Sequence, residues 1–193
     1  MNHELTNKHV LIASGSKGIC LACARTFLAE GARATLVSRA TENLLATQPV
    51  LLKETPGGDV NIIAADLRDA MEAERPVDAV ERAFGVVDVL VNSAGTAKCT
   101  PADELTAAAW HDDMQPKFFT YIHVINPPIK RMGERGQGAV VNIIGSGGKV
   151  ATVKHLAGGA ANAALMLASA GHAATYAGKR RARKRRQPRP HAH

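Results

Sequence analysis

Short apolar runs alternate along the chain with longer segments that mix apolar and polar positions. Consecutive apolar residues are typical of strands buried on both faces of a parallel sheet. Such runs occupy residues 8–14, 34–38, 60–65, 86–91 and 139–144. The segments between them predict helices at residues 18–30, 41–54, 77–84, 102–132 and 155–177.

Punctuating residues refine these boundaries. Gly31, Gly85 and Gly178 are predicted to end three of the helices, and Thr41 is a candidate N-cap. Pro116 and the pair Pro127-Pro128 are predicted to interrupt the long 102–132 segment. Regular alternation of strand and helix predicts right-handed βαβ units. We therefore expect an α/β fold, a Rossmann-type doubly wound parallel sheet of about five strands, in one domain over residues 1–178.

Composition limits the classes of protein to consider. A chain of 193 residues with 46% hydrophobic content is large enough for one buried core. It has no apolar run of about 18 residues and no signal-peptide pattern, so no membrane span and a cytoplasmic location are expected. The spacing of Cys20, Cys23 and Cys99 fits neither a disulfide framework nor a metal site, and no metal is predicted.

The net charge of +7 comes from the last residues of the sequence. Residues 179–193 contain eight Lys and Arg and no acid, which leaves 16 bases and 17 acids in the body, a net charge of −1. The tail is predicted to be disordered. The body shows no basicity that would indicate nucleic acid binding. A nucleic-acid partner is therefore the least favoured of three functional hypotheses, and it depends on the tail alone.

Two motifs mark the ends of predicted strands. The first strand runs into Ser14-Gly15-Ser16-Lys17-Gly18-Ile19, directly before a helix, and the fourth into Asn92-Ser93-Ala94-Gly95. A tight turn at a helix N-terminus is a site for a phosphate. The motifs and their order over residues 8 to about 178 resemble the short-chain dehydrogenase/reductase family, which has T-G-x-x-x-G-[IL]-G and N-N-A-G there. Ser14 and Cys20 replace the outer glycines, which predicts weak pyrophosphate binding, and Gly15 is expected to restore some flexibility to the turn.

The resemblance implies a role for residues at three other strand ends. Asp66 would accept a hydrogen bond from the adenine amino group and Leu67 would pack on its ring; a turn cap is the alternative for Asp66. Asn92, Ala94 and Gly95 would stabilise the sheet centre and leave room for the cofactor. Arg39 follows the second strand, where an acid would favour NAD(H). With Lys17 it favours NADP(H) over NAD(H), although a solvated surface charge is the alternative.

The catalytic positions depart from the family. The resemblance implies a Tyr acid/base, a Lys four residues later, an orienting Ser and an Asn on the middle helix. On our alignment these positions hold His155, Gly159, Gly145 and Lys117, with Ser146 beside Gly145. Ser146, His155 and Lys117 are the candidate catalytic residues, and we expect weak or absent turnover. The simpler interpretation makes His155 a helix-start residue and Lys117 a surface cation.

The tail suggests a further hypothesis. The family continues here with a strand of the type G-V-R-V-N-A-V-N-P-G, and one inserted base after the Lys179 codon can convert its coding sequence into Arg180 to Ala192. A frameshift would leave the protein truncated at its C-terminus and the fifth strand exposed. Three functions stay open: an NADP(H)-dependent oxidoreductase, a non-catalytic nucleotide-binding or oligomer-assembly protein that pairs through helices 102–132 and 155–178, and the nucleic-acid binder.

Overall fold

The computed structural model describes residues 4–96 and 99–186, with side chains described as far as residue 177. The strands are β1 (His9–Ala13), β2 (Arg33–Ser38), β3 (Val60–Ala64), β4 (Val89–Asn92) and β5 (Ala139–Asn142). The helices are α1 (Gly18–Ala29), α2 (Thr41–Glu54), α3 (Ala70–Phe84), α4 (Ala107–Met114), α5 (Thr120–Arg135) and α6 (Leu156–Arg186). All strand pairs are parallel, in the order β3-β2-β1-β4-β5, which confirms the predicted α/β fold.

The central strand β1 shows why the apolar runs are continuous. All five of its residues are buried, and successive side chains point to opposite faces of the sheet. Val10 and Ile12 belong to a core layer under α1 and α2. Leu11 and Ala13 belong to a second layer under α3, α5 and α6. Each face of the sheet is therefore covered by helices, as expected for parallel strands.

Helix α3 begins seven residues earlier than predicted, at Ala70 rather than Val77. The Asp69 carboxylate accepts hydrogen bonds from the backbone N–H groups of Met71 and Glu72, which caps the first turn. Pro76 lies inside this helix and is buried. The predicted start after Pro76 was therefore wrong, because the proline does not end the helix.

Other predicted boundaries also shift. Ala40, not Thr41, is the N-cap of α2, and it makes no side-chain cap bond. Pro116 lies in a π-helical turn, Gln115–Phe119, that joins α4 to α5. Pro127 and Pro128 do not interrupt α5, whose buried face packs against the sheet. Tertiary packing of an amphipathic helix outweighs local propensity here.

Strand β5 lies at one edge of the sheet, and the side chains of Ala139 and Val141 are exposed, as expected. Helix α6 packs beside it. The prediction that this helix ends at Gly178 was wrong. The helix continues to Arg186, so part of the tail predicted to be disordered is helical. The rest of that prediction, residues 187–193, lies outside the described residues.

Three more findings concern the described part of the protein. Its cysteines are free thiols, with Cys20 buried and Cys99 exposed. None of its helices has the length and apolar character that crossing a membrane requires. Within residues 4–96 and 99–186, no three His, Cys, Asp or Glu side chains are grouped as metal ligands would be.

Candidate functional site

A cavity of about 380 Å³ lies at the carboxyl ends of the central strands. The ends of parallel strands meet at one edge of a doubly wound sheet, which is where such folds bind ligands. Most of the sequence-predicted cofactor residues line this cavity, namely Ser14, Lys17, Gly18, Ile19, Arg39, Asp66, Leu67, Ala94 and Gly95. Sequence reasoning missed other lining residues, among them Ser38, Arg68, Pro116 and Thr120.

The turn after β1 is tight, but the roles of its residues differ from those predicted. Ser14 adopts φ 63°, a left-handed conformation that glycine favours, and its N–H donates to the Val37 carbonyl at 2.8 Å. Gly15, predicted to supply flexibility, instead supplies space, because a Cβ there would lie 2.8 Å from the Leu36 side chain. Ser16 is buried, and its carbonyl accepts a hydrogen bond from the Thr47 hydroxyl at 3.1 Å.

Helix α1 starts at Gly18 and directs its N-terminus into the cavity. Gly18 has φ +57°, and a Cβ there would contact nothing within 4 Å, so the helix start faces open space. Lys17 and Ile19 beside it are exposed. The Cys20 thiol, where the family has glycine, turns back and donates to the Ala13 carbonyl at 3.3 Å. Burial raises the pKa of this thiol, so it stays protonated at neutral pH.

A charged corner lies at the ends of β2 and β3. The Asp66 carboxylate is paired with the Arg68 guanidinium, with Arg68 Nη2 and Asp66 Oδ2 2.5 Å apart. Hydrogen bonding to Arg68 is the main reason that the pKa of Asp66 falls to about 2, and the charge of Arg39 adds to this effect. The backbone N–H of Arg68 also donates to Asp66, so the carboxylate caps a turn as well, which was the alternative interpretation of Asp66.

The end of β4 is fixed by Asn92. Its side-chain amide donates to the Tyr121 carbonyl at 3.2 Å and accepts from the Ala94 N–H at 3.3 Å. Asn92 is fully buried and ties β4 to α5, without lining the cavity itself. Gly95 has φ +98°, and a Cβ there would lie 2.2 Å from the Pro116 carbonyl oxygen. Only glycine leaves this wall of the cavity undistorted.

Lys117 is half-buried in the π-helical turn, and its Nζ lies 5.1 Å from the centre of the Tyr121 ring. Burial lowers the pKa of Lys117. Tyr121 cannot stand in for an acid/base tyrosine near neutral pH. Its hydroxyl donates to the Ile143 carbonyl, and burial raises its pKa to about 12.

The other two candidate catalytic residues lie in the segment that connects β5 to α6. His155 immediately precedes α6, and its Nδ1 is 3.8 Å from the exposed Cys99 Sγ. Its ring also lies beside Gly147. Ser146 begins a short 3-10 turn, Ser146–Gly148, and is exposed. Lys117, His155 and Ser146 therefore each have different neighbours.

Sequence reasoning missed Asn162. It is 4% exposed, and its side-chain Oδ1 has no hydrogen-bond partner among the described residues. A Cβ on Gly145, the serine position of our alignment, would lie 2.9 Å from Asn162 Nδ2. Residues four apart share one face of a helix, which pairs Asn162 with Gly158. The signal was present in the sequence, because shifting the alignment by three residues places Gly158 and Asn162 at the tyrosine and lysine positions.

Comparison with known proteins gives a consistent family. The model of the short chain dehydrogenase family matches residues 8–180. A D-threitol dehydrogenase from Mycolicibacterium smegmatis is 33% identical over 157 residues, 80% of this chain and 58% of its own length. A levodione reductase from Leifsonia aquatica is 33% identical over 146 residues, 75% of this chain and 55% of its own length. The protein therefore spans little more than half the length of these relatives.

A solved structure agrees with the fold. The NADPH-bound short chain oxidoreductase from Pseudomonas aeruginosa PAO1, described as containing an atypical catalytic center, superposes with a TM-score of 0.85. It is 27% identical, and the match covers 90% of this chain and 69% of the other.

Proposed function

This protein belongs to the short-chain dehydrogenase family, and from that premise we propose that it binds NADP(H) in preference to NAD(H). Its activity would be the interconversion of a small carbonyl compound and an alcohol. The nicotinamide dinucleotide supplies or accepts the hydride when it is bound. The residues of the protein bind and orient it, and move the proton. Because proton-transfer residues are altered, we propose that turnover is weak.

The observation that carries the proposal is the charge and shape of the cavity. Its walls hold the cations Lys17, Arg39 and Arg68 and one carboxylate, Asp66. The α1 N-terminus adds a site for a phosphate. The open space at Gly18 lets a ligand approach the helix N-terminus, and the lack of a side chain at Gly95 keeps the wall beside Pro116 undistorted. These features fit a polyanionic cofactor better than a neutral ligand.

The proposed preference for a cofactor with a 2′-phosphate rests on the residue that follows β2. Arg39 stands where a carboxylate would bind the ribose 2′-hydroxyl, and it lines the cavity. An exposed guanidinium at this position attracts a phosphate and offers paired N–H donors.

For the chemical step, we propose that Lys117 handles the proton. It follows Pro116 in the turn that packs against Gly95 at the cavity wall, and burial lowers its pKa. We propose that His155 and Ser146 assist this proton transfer from positions near the substrate.

A titration of the full-length protein with NADPH and with NADH, followed by thermal shift and by nucleotide fluorescence, tests the binding proposal. We expect saturable binding of NADPH that Arg39→Ala weakens at least tenfold, with little effect on NADH. Arg25→Ala is the matched control, because Arg25 forms an exposed ion pair with Glu54 away from the cavity. A folded protein that binds neither nucleotide contradicts the proposal.

A second candidate is a non-catalytic assembly protein that pairs through α4–α5 and α6. It is favoured by Leu167 on α6, which is 77% exposed. An apolar groove of about 500 Å³ also lies between α5, β5 and α6. Sedimentation of the wild type and of Leu167→Glu tests it. Self-association that this substitution abolishes supports assembly, and a monomer in both cases contradicts it.

A further inference from the structure

Arg68 lies in the cavity at a point where the family resemblance assigned no cation. It follows Leu67 after the end of β3, and its side chain is 51% exposed. Its Nε donates to both Asp66 oxygens, at 3.0 Å and 3.1 Å, and Nη2 donates to Oδ2. The guanidinium therefore lies side-on against the carboxylate and is held in one orientation.

This pairing changes what Asp66 can do. Both carboxylate oxygens accept from Arg68, and Oδ1 also accepts the Arg68 backbone N–H at 3.1 Å. An adenine amino group would compete with these bonds. A guanidinium, in contrast, has five N–H donors. Pairing with Asp66 engages those on Nε and Nη2, which leaves donors for a second anion.

Resting on the proposed NADP(H) preference, we propose that Arg68 is a second specificity-determining cation for the 2′-phosphate. Asp66 is then the residue that positions Arg68, rather than a ligand of the adenine. Arg39 and Arg68 line the same cavity from the ends of β2 and β3, and both would hold the 2′-phosphate.

The charge balance shows why the pair would discriminate. Three cations and one carboxylate line the cavity, a net of two positive charges. Without Arg68, the Asp66 carboxylate would face the bound nucleotide with no partner of opposite charge in contact with it. Arg39 is near enough to influence the pKa of Asp66, so this carboxylate lies on the Arg39 side of the cavity. A 2′-phosphate brings about two negative charges that NADH lacks. Loss of Arg68 therefore opposes NADPH more than NADH.

The test measures the Kd values of NADPH and NADH for the full-length protein and four variants. The variants are Arg68→Ala, Asp66→Asn, the double variant and the control Arg25→Ala. Adenosine 2′,5′-bisphosphate and AMP serve as a second probe pair, because they differ only in the 2′-phosphate and lack the nicotinamide half. Thermal melting shows that each variant is folded.

We expect Arg68→Ala to weaken NADPH and adenosine 2′,5′-bisphosphate at least tenfold, and NADH and AMP less than twofold. Asp66→Asn should weaken NADPH less than Arg68→Ala does, because Arg68 keeps its charge but loses the carboxylate that positions it. The double variant should recover only part of the loss caused by Arg68→Ala, because it removes the unpaired carboxylate but does not restore the guanidinium.

Two results overturn the proposal. One is equal weakening of both members of each probe pair by Arg68→Ala. The other is equal weakening of NADPH and NADH by Asp66→Asn, which would make Asp66 an adenine ligand. Failure of the proposed function is separate: the wild type would then bind neither dinucleotide, or bind NADH more tightly than NADPH.

Discussion

Two regions at the carboxyl ends of the strands differ in the residues that they contain. Around the ends of β1 to β3, charged side chains such as Arg39, Asp66 and Arg68 line an open cavity. Where the loop after β5 meets α6, by contrast, the backbones pack closely. A Cβ on Gly148 would lie 2.7 Å from the Asn162 backbone, and one on Gly159 would lie 3.0 Å from the Gly147 carbonyl. One region has the chemistry to bind an anion, and the other has small residues where the family has reactive side chains.

Under the proposed function, nucleotide binding and proton transfer would fall to two different regions of this fold. The binding region is formed at strand ends and a helix N-terminus, which survive many side-chain changes. The proton-transfer region depends on a few side chains held at one spacing, which glycine cannot supply.

The largest expected effect comes from closing the binding region. Gly95→Ala places a Cβ against the Pro116 carbonyl at a residue with φ +98°. We expect it to abolish NADPH binding in titration and to lower the free energy of unfolding by on the order of 2–4 kcal/mol.

Gly57→Ala is the matched control for Gly95→Ala. Gly57 also has a left-handed backbone, with φ +80°, but a Cβ there would contact nothing within 4 Å. It should cost about 1 kcal/mol of stability and leave the Kd of NADPH unchanged. Equal loss of binding in both variants would show that the wall at Gly95 has no special importance.

The next effect concerns the other region. Asn162→Lys places an ammonium group where Asn162 now faces Gly145, and Gly159→Lys places one at the lysine position of our alignment. We expect Asn162→Lys to tighten NADPH roughly fivefold, about 1 kcal/mol, through a charge-assisted hydrogen bond to the cofactor ribose. Gly159→Lys should not tighten it. The reverse result in fluorescence titration would favour the alignment that uses His155 and Gly159.

The smallest expected effect is a pH dependence. The pKa of Asp66 is lowered to about 2 by Arg68, below the value near 3.9 of an unfolded chain. A lowered pKa contributes stability above the unfolded value, and this is lost as pH falls toward 2. Melting temperatures of wild type and Asp66→Asn should therefore differ by the same amount from pH 5 to pH 8. Their difference should shrink only below about pH 4. A difference that changes between pH 6 and pH 8 would contradict this account.

Much of the binding region could be predicted from the sequence. Ser14, Gly18, Arg39 and Asp66 line one cavity because each directly follows a strand or its turn, and parallel strand ends meet at one edge. Their roles in cofactor binding stay predictions. Arg68 was missed because nothing in the sequence indicates which way its side chain turns. The start of α3 could have been found, since Asp69 followed three residues later by Glu72 is a capping pattern.

The contacts between the loop after β5 and the start of α6 could not be predicted as well. The positions of His155, Gly159 and Asn162 along the last helical segment are equally compatible with an alanine-rich helix, so the alignment could slide by three residues. Only the contact between the loop after β5 and α6 shows that Gly145 faces Asn162.

The sequence by itself determined the order of strands and helices, the parallel sheet and the strand ends that form the cavity. These features follow from hydrophobic periodicity and local turn chemistry, which act over a few residues. The tertiary structure alone decided how three pairs of residues meet: Arg68 with Asp66, Lys117 with Tyr121, and Gly145 with Asn162. The first two pairs are close in the sequence but depend on the rotamers that their surroundings allow. The third depends on packing between the loop after β5 and α6, which no local pattern records.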